Sequence, residues 1–310
     1  MSFDRLRHRL ISGRPLVADS DTGAAFRARG VAIDTPGALG LLLRQRPEDV
    51  LAHYRAEIES RVDVLSALTP DTTPRALAEV GMQHRAALLT SRAVDLAQEA
   101  AAEAAKPVAV AGVLGSEMVG PLAADRLHEE FAEHAERLAV AGCELIIARG
   151  QGSRLGLMAA VVAAAATELP TWAVVECDAD GGLGAAAGGE PLFESLHEAG
   201  ASVVLFEVPS VHAGLEQLRR VGNVPQGLVP GVMLAASQNA VRGFPDRESN
   251  PWRWANGSID LDSCGARVIG GGAGTTEAHT AALAQAMGAV HPSIPQTRSD
   301  TEVDRSPPGT

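Results

Sequence analysis

The chain of 310 residues is 46% apolar and 21% charged, enough to bury a large core and too apolar for wholesale disorder. Its net charge of −12 speaks against nucleic acid or a membrane surface as the main partner, because both select a basic patch. Aromatic residues are only 3%, with Tyr54 the single tyrosine, so a base- or sugar-stacking platform has little to be built from.

The opening MSFDRLRHRL carries charges but no apolar core, so no signal peptide is read, and Leu155 to Thr167 is too short to span a bilayer. From there, short apolar runs alternate with longer segments of helical period. The predicted strands are Leu16–Asp19, Val62–Thr69, Val108–Leu114, Leu145–Ala148, Trp172–Cys177, Ser202–Val208, Gly231–Ala236 and Ala266–Gly271. The predicted helices between them are Thr73–Ala105, Ala123–Ala141, Arg154–Thr167, Pro191–Ala199, Ser210–Val221 and Thr276–Met287. Continuous apolar strands separated by helices form parallel sheets. Eight such units predict a single-domain α/β fold, a (β/α)8 TIM barrel over 1–290, with a disordered tail over 291–310. A doubly wound open sheet is the rival layout, but no strand leads into G-x-G-x-x-G.

The active site of such a barrel forms at the C-terminal strand ends. Those positions hold Asp19 and Asp21, Thr69 and Asp71, Ser116 and Glu117, Arg149, Glu176 with Cys177 and Asp178, Glu207, and Ser237 with Asn239. Arg149 and Glu207 each end a strongly apolar strand directly and so point toward the mouth. Asp71, Asp178 and Thr276 serve equally well as helix caps or loop residues. The loop Gly270–Thr276, with Gly271, Gly272 and Thr275, precedes a helix and could hold an anion at its N-terminus, although Glu277 already meets the helix dipole.

Cys143, Cys177 and Cys264 are too few and too scattered for a disulfide framework, which points to a reduced, cytoplasmic protein. None of the nine histidines falls at a strand end, and zinc needs three protein ligands, so no metal is expected; the alternative is a metal recruited by Cys177 and nearby carboxylates. Cys177 as a nucleophile lacks an evident His/Asn arrangement, and packing is the plainer role for it.

Several segments, in order, resemble the homocysteine S-methyltransferase family. Val17-Ala18-Asp19-Ser20-Asp21-Thr22-Gly23 followed by Arg29-Gly30 is similar to its D-G-x-x-G-T…R-G opening, and Val62 through Thr69 to its A-D-I-I-T-T-N-T-Y strand. Ala111-Gly112-Val113-Leu114-Gly115 resembles A-G-S-L-G, and Asp180-Gly181-Gly182-Leu183, then Gly189 and Pro191-Leu192, a D-G-x-L…G-x-P-L loop. Most specific is Val268 through His279, which parallels I-I-G-G-C-C-G-T-T-P-E-H. The resemblance implies a barrel from about Leu16 to Met287 that activates a thiol with zinc held by three cysteines. The matching positions here are Val208, Gly272 and Ala273, and the family's glutamate ending the fourth strand is Arg149.

Without zinc, a thiol of pKa about 8.5 is only a few per cent ionised at neutral pH. The expectation is therefore a divergent, metal-independent enzyme acting on a small sulfonium, S-adenosylmethionine or another, or on an amino-acid-like substrate. It would carry out methyl or alkyl transfer, or an elimination or cyclisation. Arg149, Gly271, Gly272 and Thr275 would bind substrate, and Asp19, Glu176 and Glu207 would supply acid, base or cation-stabilising carboxylates. The alternative is a non-catalytic homologue that binds a small molecule or supports a partner enzyme; a homo-oligomer suits either.

Overall fold

The structure is a computed structural model that describes residues 2–13, 15–115, 123–150, 152–183, 191–221 and 227–290. Ser116, Glu117, Gly189 and the predicted tail lie outside the described residues. Eight strands form one sheet: β1 (Leu16–Val17), β2 (Val64–Ser66), β3 (Ala109–Leu114), β4 (Leu145–Arg149), β5 (Thr171–Glu176), β6 (Ala201–Val208), β7 (Val229–Leu234) and β8 (Val268–Gly271). Every neighbouring pair is parallel, and β1 pairs with β8. An Ala18–Val64 bridge and the Asp63 N–H donating to the Val17 carbonyl at 2.7 Å close the ring between β1 and β2. This is the predicted barrel.

Side chains alternate across each strand, so the strands divide their residues between two cores. Leu145 and Ile147 of β4, Trp172 and Val174 of β5, and Val203 and Leu205 of β6 fill the barrel interior. Ile146, Ala148, Ala173, Val175, Val204 and Phe206 pack outward beneath the helices. Carrying the inward parity to the strand ends brings Arg149, Glu176 and Glu207 to the mouth. The ladder register pairs Arg149 with Val174, and Glu176 with Glu207.

The helical ring follows the predicted pattern with local differences. The segment predicted as one helix over Thr73–Ala105 is broken. A 3-10 turn at Pro70–Thr72, α5 (Pro74–Ala78) and a second 3-10 turn at Gln83–Arg85 precede α6 (Ala86–Ala102). Gly81, at φ +69°, adopts the left-handed conformation that stops α5 before the chain resumes. Helices not predicted are α1 (Ser2–Ser12), α2 (Thr22–Ala28), α3 (Ala38–Gln45), α4 (Pro47–Glu59) and α11 (Pro251–Ser263). The last opens with the side chain of Asn250 accepting from the N–H groups of Trp252 and Arg253 at 3.0 Å each, and with Pro251 in its first turn. The remaining helices are α7 (Ala124–Val140), α8 (Arg154–Ala165), α9 (Leu192–Glu198), α10 (Val211–Val221) and α12 (Glu277–Val290).

Helix α1 covers the end of the barrel opposite the mouth. Phe3, Leu6 and Leu10 enter the interior core, and the Phe3 ring meets Trp172 edge-on at 6.2 Å between centroids. Arg9 pairs with buried Asp63 at 2.6 Å, and Lys106 reaches the same carboxylate at 2.7 Å.

Candidate functional site

The charged residues at the ends of β4, β5 and β6 form one ionic chain across the mouth. The Arg149 guanidinium pairs with Glu207 and lies 3.6 Å from Glu176. Arg242, from the loop after β7, pairs with the other Glu207 oxygen. Arg149 and Glu207 side chains are each 12% exposed, so these charges are sheltered but reachable. The chain separates two cavities. One of about 350 Å3 is lined by Asp19, Ser66, Val113, Arg149, Met233 and Gly271 among others. The second, about 280 Å3, is lined by Glu176, Cys177, Glu207, Val208, Ser237 and Ala273. Arg242 lines both.

The loop carrying Arg242 is fastened over the mouth. Gly243 N–H donates to Asp21 at 2.7 Å, Asp246 N–H to the Gly274 carbonyl at 3.1 Å, and the Arg27 guanidinium stacks 3.9 Å from the Phe244 ring centre. Asp21 also caps α2 through the Ala24 N–H at 3.2 Å and accepts from Gly274 N–H at 3.1 Å. Both of its oxygens are thus taken up in holding the loops. Asp71 accepts from Leu39 N–H at 3.0 Å, and Asp178 from Gly182 N–H at 2.7 Å, so both serve as turn and cap residues.

Asp19 lies at the wall of the larger cavity, where its carboxylate accepts from the N–H of Ser66 at 2.6 Å and its hydroxyl at 2.9 Å. Burial raises its pKa to about 6 against the opposing pull of the two Ser66 hydrogen bonds. Burial pushes the Cys177 thiol up to about 12, and Asp178 adds to the rise, so the thiolate needed of a nucleophile is scarce.

Several N–H groups of the glycine loop after β8 are already taken by protein acceptors. Gly271 N–H donates to the Asp19 carbonyl at 3.0 Å, Gly272 N–H to the Leu234 carbonyl at 2.8 Å, and Thr275 N–H to the Gly272 carbonyl at 3.2 Å. The Thr275 hydroxyl donates to the Gly272 carbonyl at 2.7 Å and accepts from Asp21 N–H at 3.0 Å. Gly271 forms cavity wall; Gly272 and Thr275 line neither cavity.

The three positions matching zinc-binding cysteines come together without donor atoms. Val208 and Ala273 line the smaller cavity, and the Ala235 N–H joins β7 to the Val208 carbonyl at 3.0 Å. The Val208 side chain belongs to the outer core, on the parity opposite Glu207. At Gly272 a Cβ would stand 2.9 Å from the Met233 carbonyl oxygen and 3.0 Å from the Ala235 nitrogen, both rigid backbone. The residues present do not fit a cysteine-held zinc.

A different group gathers behind β1. His53 and Glu57 of α4 meet Glu277, the first residue of α12, with one donor atom from each within 4.8 Å of the others. His53 Nδ1 is 2.8 Å from Glu277 Oε1, which Arg29 also contacts. Glu57 Oε1 accepts from the Ser20 N–H at 3.2 Å and from its hydroxyl. Burial raises Glu57 to about 7, against the His53 charge and with the help of the Asp19 charge. Burial also works to raise Glu277, yet the His53 hydrogen bond and charge, with Arg29, bring it down to about 2. Neither this group nor Arg242 was expected from the sequence. Only Ser66, inward-facing at the end of β2, carries a parity signal that could have found it.

A family model described as homocysteine S-methyltransferase matches residues 16–287. The homocysteine methyltransferase MmuM from Escherichia coli, metallated form, superposes with a TM-score of 0.73 at 18% identity, covering 90% of this chain and 98% of that one. Its oxidized form gives 0.70 at 19% identity over 88% and 96%. A type I 3-dehydroquinate dehydratase from Clostridium difficile gives 0.53 at 10% identity over 91% and 94%. These likenesses speak to the fold. No curated protein matches the chain. Among the described residues, no helix is long and apolar enough to cross a membrane.

Proposed function

The chain belongs to the homocysteine S-methyltransferase family, and from that membership we propose an enzyme that moves a methyl or other alkyl group from a small sulfonium, without cysteine-held zinc. The observation that carries this reading is the Arg149–Glu207–Arg242 chain between two cavities, with Glu176 beside it. A zwitterionic ligand can replace these pairings one for one. Its carboxylate takes the Arg149 guanidinium in the two-pronged geometry that arginine favours. Its cationic centre then faces Glu207 and Glu176, so no buried charge is left unpaired.

Transfer to an acceptor on the other side of the chain balances without a metal. The acceptor's lone pair forms the new bond to the methyl carbon as the carbon–sulfur bond breaks, and the sulfonium leaves as a neutral thioether. The acceptor's proton goes to Asp19, which at pKa about 6 is largely ionised at pH 7 and close enough to neutrality to act as a base. The glycine loop supplies wall, with Gly271 against the larger cavity. Elimination or cyclisation of the same sulfonium would use the same groups. The unpaired thiols Cys143, Cys177 and Cys264 agree with a reducing cytoplasmic compartment.

A second reading has a specific observation in its favour. Arg149 is already paired within the chain, so the mouth is electrostatically complete and could bind a ligand without turning it over. A thermal-shift screen of amino acids and sulfoniums, S-adenosylmethionine included, followed by mass spectrometry of the hits, separates the readings. Several degrees of stabilisation with loss of a methyl group is expected. Stabilisation without turnover favours the binding protein, and no stabilisation by any of them refutes the ligand class.

A further inference from the structure

We infer that His53, Glu57 and Glu277 form a site for one divalent transition-metal ion, seated in the helical ring behind β1 and apart from both mouth cavities. His53 and Glu57 stand one turn apart on α4 and so share a face. Glu277 opens α12, which packs against that face and places His53 Nδ1 2.8 Å from Glu277 Oε1. Donors bound at about 2.0–2.2 Å to one ion lie roughly 3–3.5 Å from each other. A spread within 4.8 Å is thus close to a coordination polyhedron. Among the described residues no other three His, Cys, Asp or Glu side chains bring donor atoms so near one another.

A second observation points to a missing partner. Glu57 is fully buried, and while Oε1 takes both Ser20 donors, Oε2 has no hydrogen-bond partner. A buried carboxylate oxygen left without a donor is costly, and a bound cation would satisfy it. His53 is 1% exposed, so water does not compete freely there. The half-exposed Arg29 keeps its contact with Glu277, while the ion replaces the proton between His53 and Glu277. Two carboxylates then neutralise a doubly charged ion.

The donor set selects the metal class. One imidazole with two carboxylates suits manganese, iron, cobalt or zinc, whereas calcium and magnesium prefer an all-oxygen shell. Three protein ligands leave a position for water. The site would fasten α4 to α12 and, through Glu57 and Ser20, steady the strand end that carries Asp19. It does not rest on the reaction proposed for the mouth.

The test uses the full chain, stripped with a chelator, titrated with cobalt(II) by visible absorption and with zinc(II) by calorimetry. One equivalent should bind, with d–d bands and a melting temperature raised by several degrees. Glu57→Gln, nearly the same shape and still able to accept from Ser20, should weaken binding at least tenfold while melting cooperatively. Cys177→Ala should bind as the wild type does. No saturable binding at millimolar metal overturns the proposal. So does unchanged affinity in Glu57→Gln, or loss confined to Cys177→Ala.

Discussion

Glu207 is the residue on which the mouth turns, because it holds Arg149 with one oxygen and Arg242 with the other. Removing Arg149 leaves Glu207 paired to Arg242, so Arg149→Ala should keep the fold while testing the ligand-binding role proposed for Arg149. Asp19 gives a pH signature. Its folded pKa of about 6 lies above the ordinary 3.8, so the folded state holds the proton more tightly between those values. That contribution to stability is complete below about pH 4 and is lost as pH rises toward 6. The wild-type minus Asp19→Asn difference in unfolding free energy should therefore shift by on the order of 3 kcal/mol between pH 4 and 7, against the wild type. Denaturant titrations at the two pH values measure it, and a pH-independent difference would remove the buried-carboxylate account. At Gly272 no side chain fits, since a Cβ would press on the backbone of Met233 and Ala235. Gly272→Cys should cost about 1–3 kcal/mol, seen as a lower melting temperature, and an unchanged one would show that the strand can yield.

Helix α1 illustrates how an element is missed and why it matters. Phe3, Leu6 and Leu10 recur at helical spacing, but the charges between them read as a solvated terminus until the open barrel end is known. Truncating Leu6 to Ala should cost about 2–5 kcal/mol by chemical denaturation, the range of a large-to-small change in a packed core. A loss below 0.5 kcal/mol would mean that α1 only rests on the barrel. Arg149, Glu176 and Glu207 are legible because each ends an apolar run on the inward parity of its strand. Arg242 is not legible, since it sits in an irregular loop with no period to read. His53 and Glu277 are 224 positions apart, so only the closed ring brings them together. Thr73–Ala105 was legible as helical in composition, but not the break at Gly81, which depends on a left-handed turn.

At the scale of the whole molecule, a closed ring of parallel strands supplies a rigid frame, and the chemistry is set by what stands at its C-terminal rim. Here the rim has lost the donors of a thiolate–zinc site and carries an arginine–glutamate–arginine chain instead. On the function proposed above, the frame persists while the ligand is held by charge instead of by a cysteine-bound metal. The most direct test is calorimetric titration of S-adenosylmethionine, or of the best sulfonium from the screen, into wild type and Arg149→Ala. Saturable binding to the wild type, lost in a variant that still melts in one cooperative transition, is the expected result. Equal affinity in the two proteins would contradict the charge-held ligand.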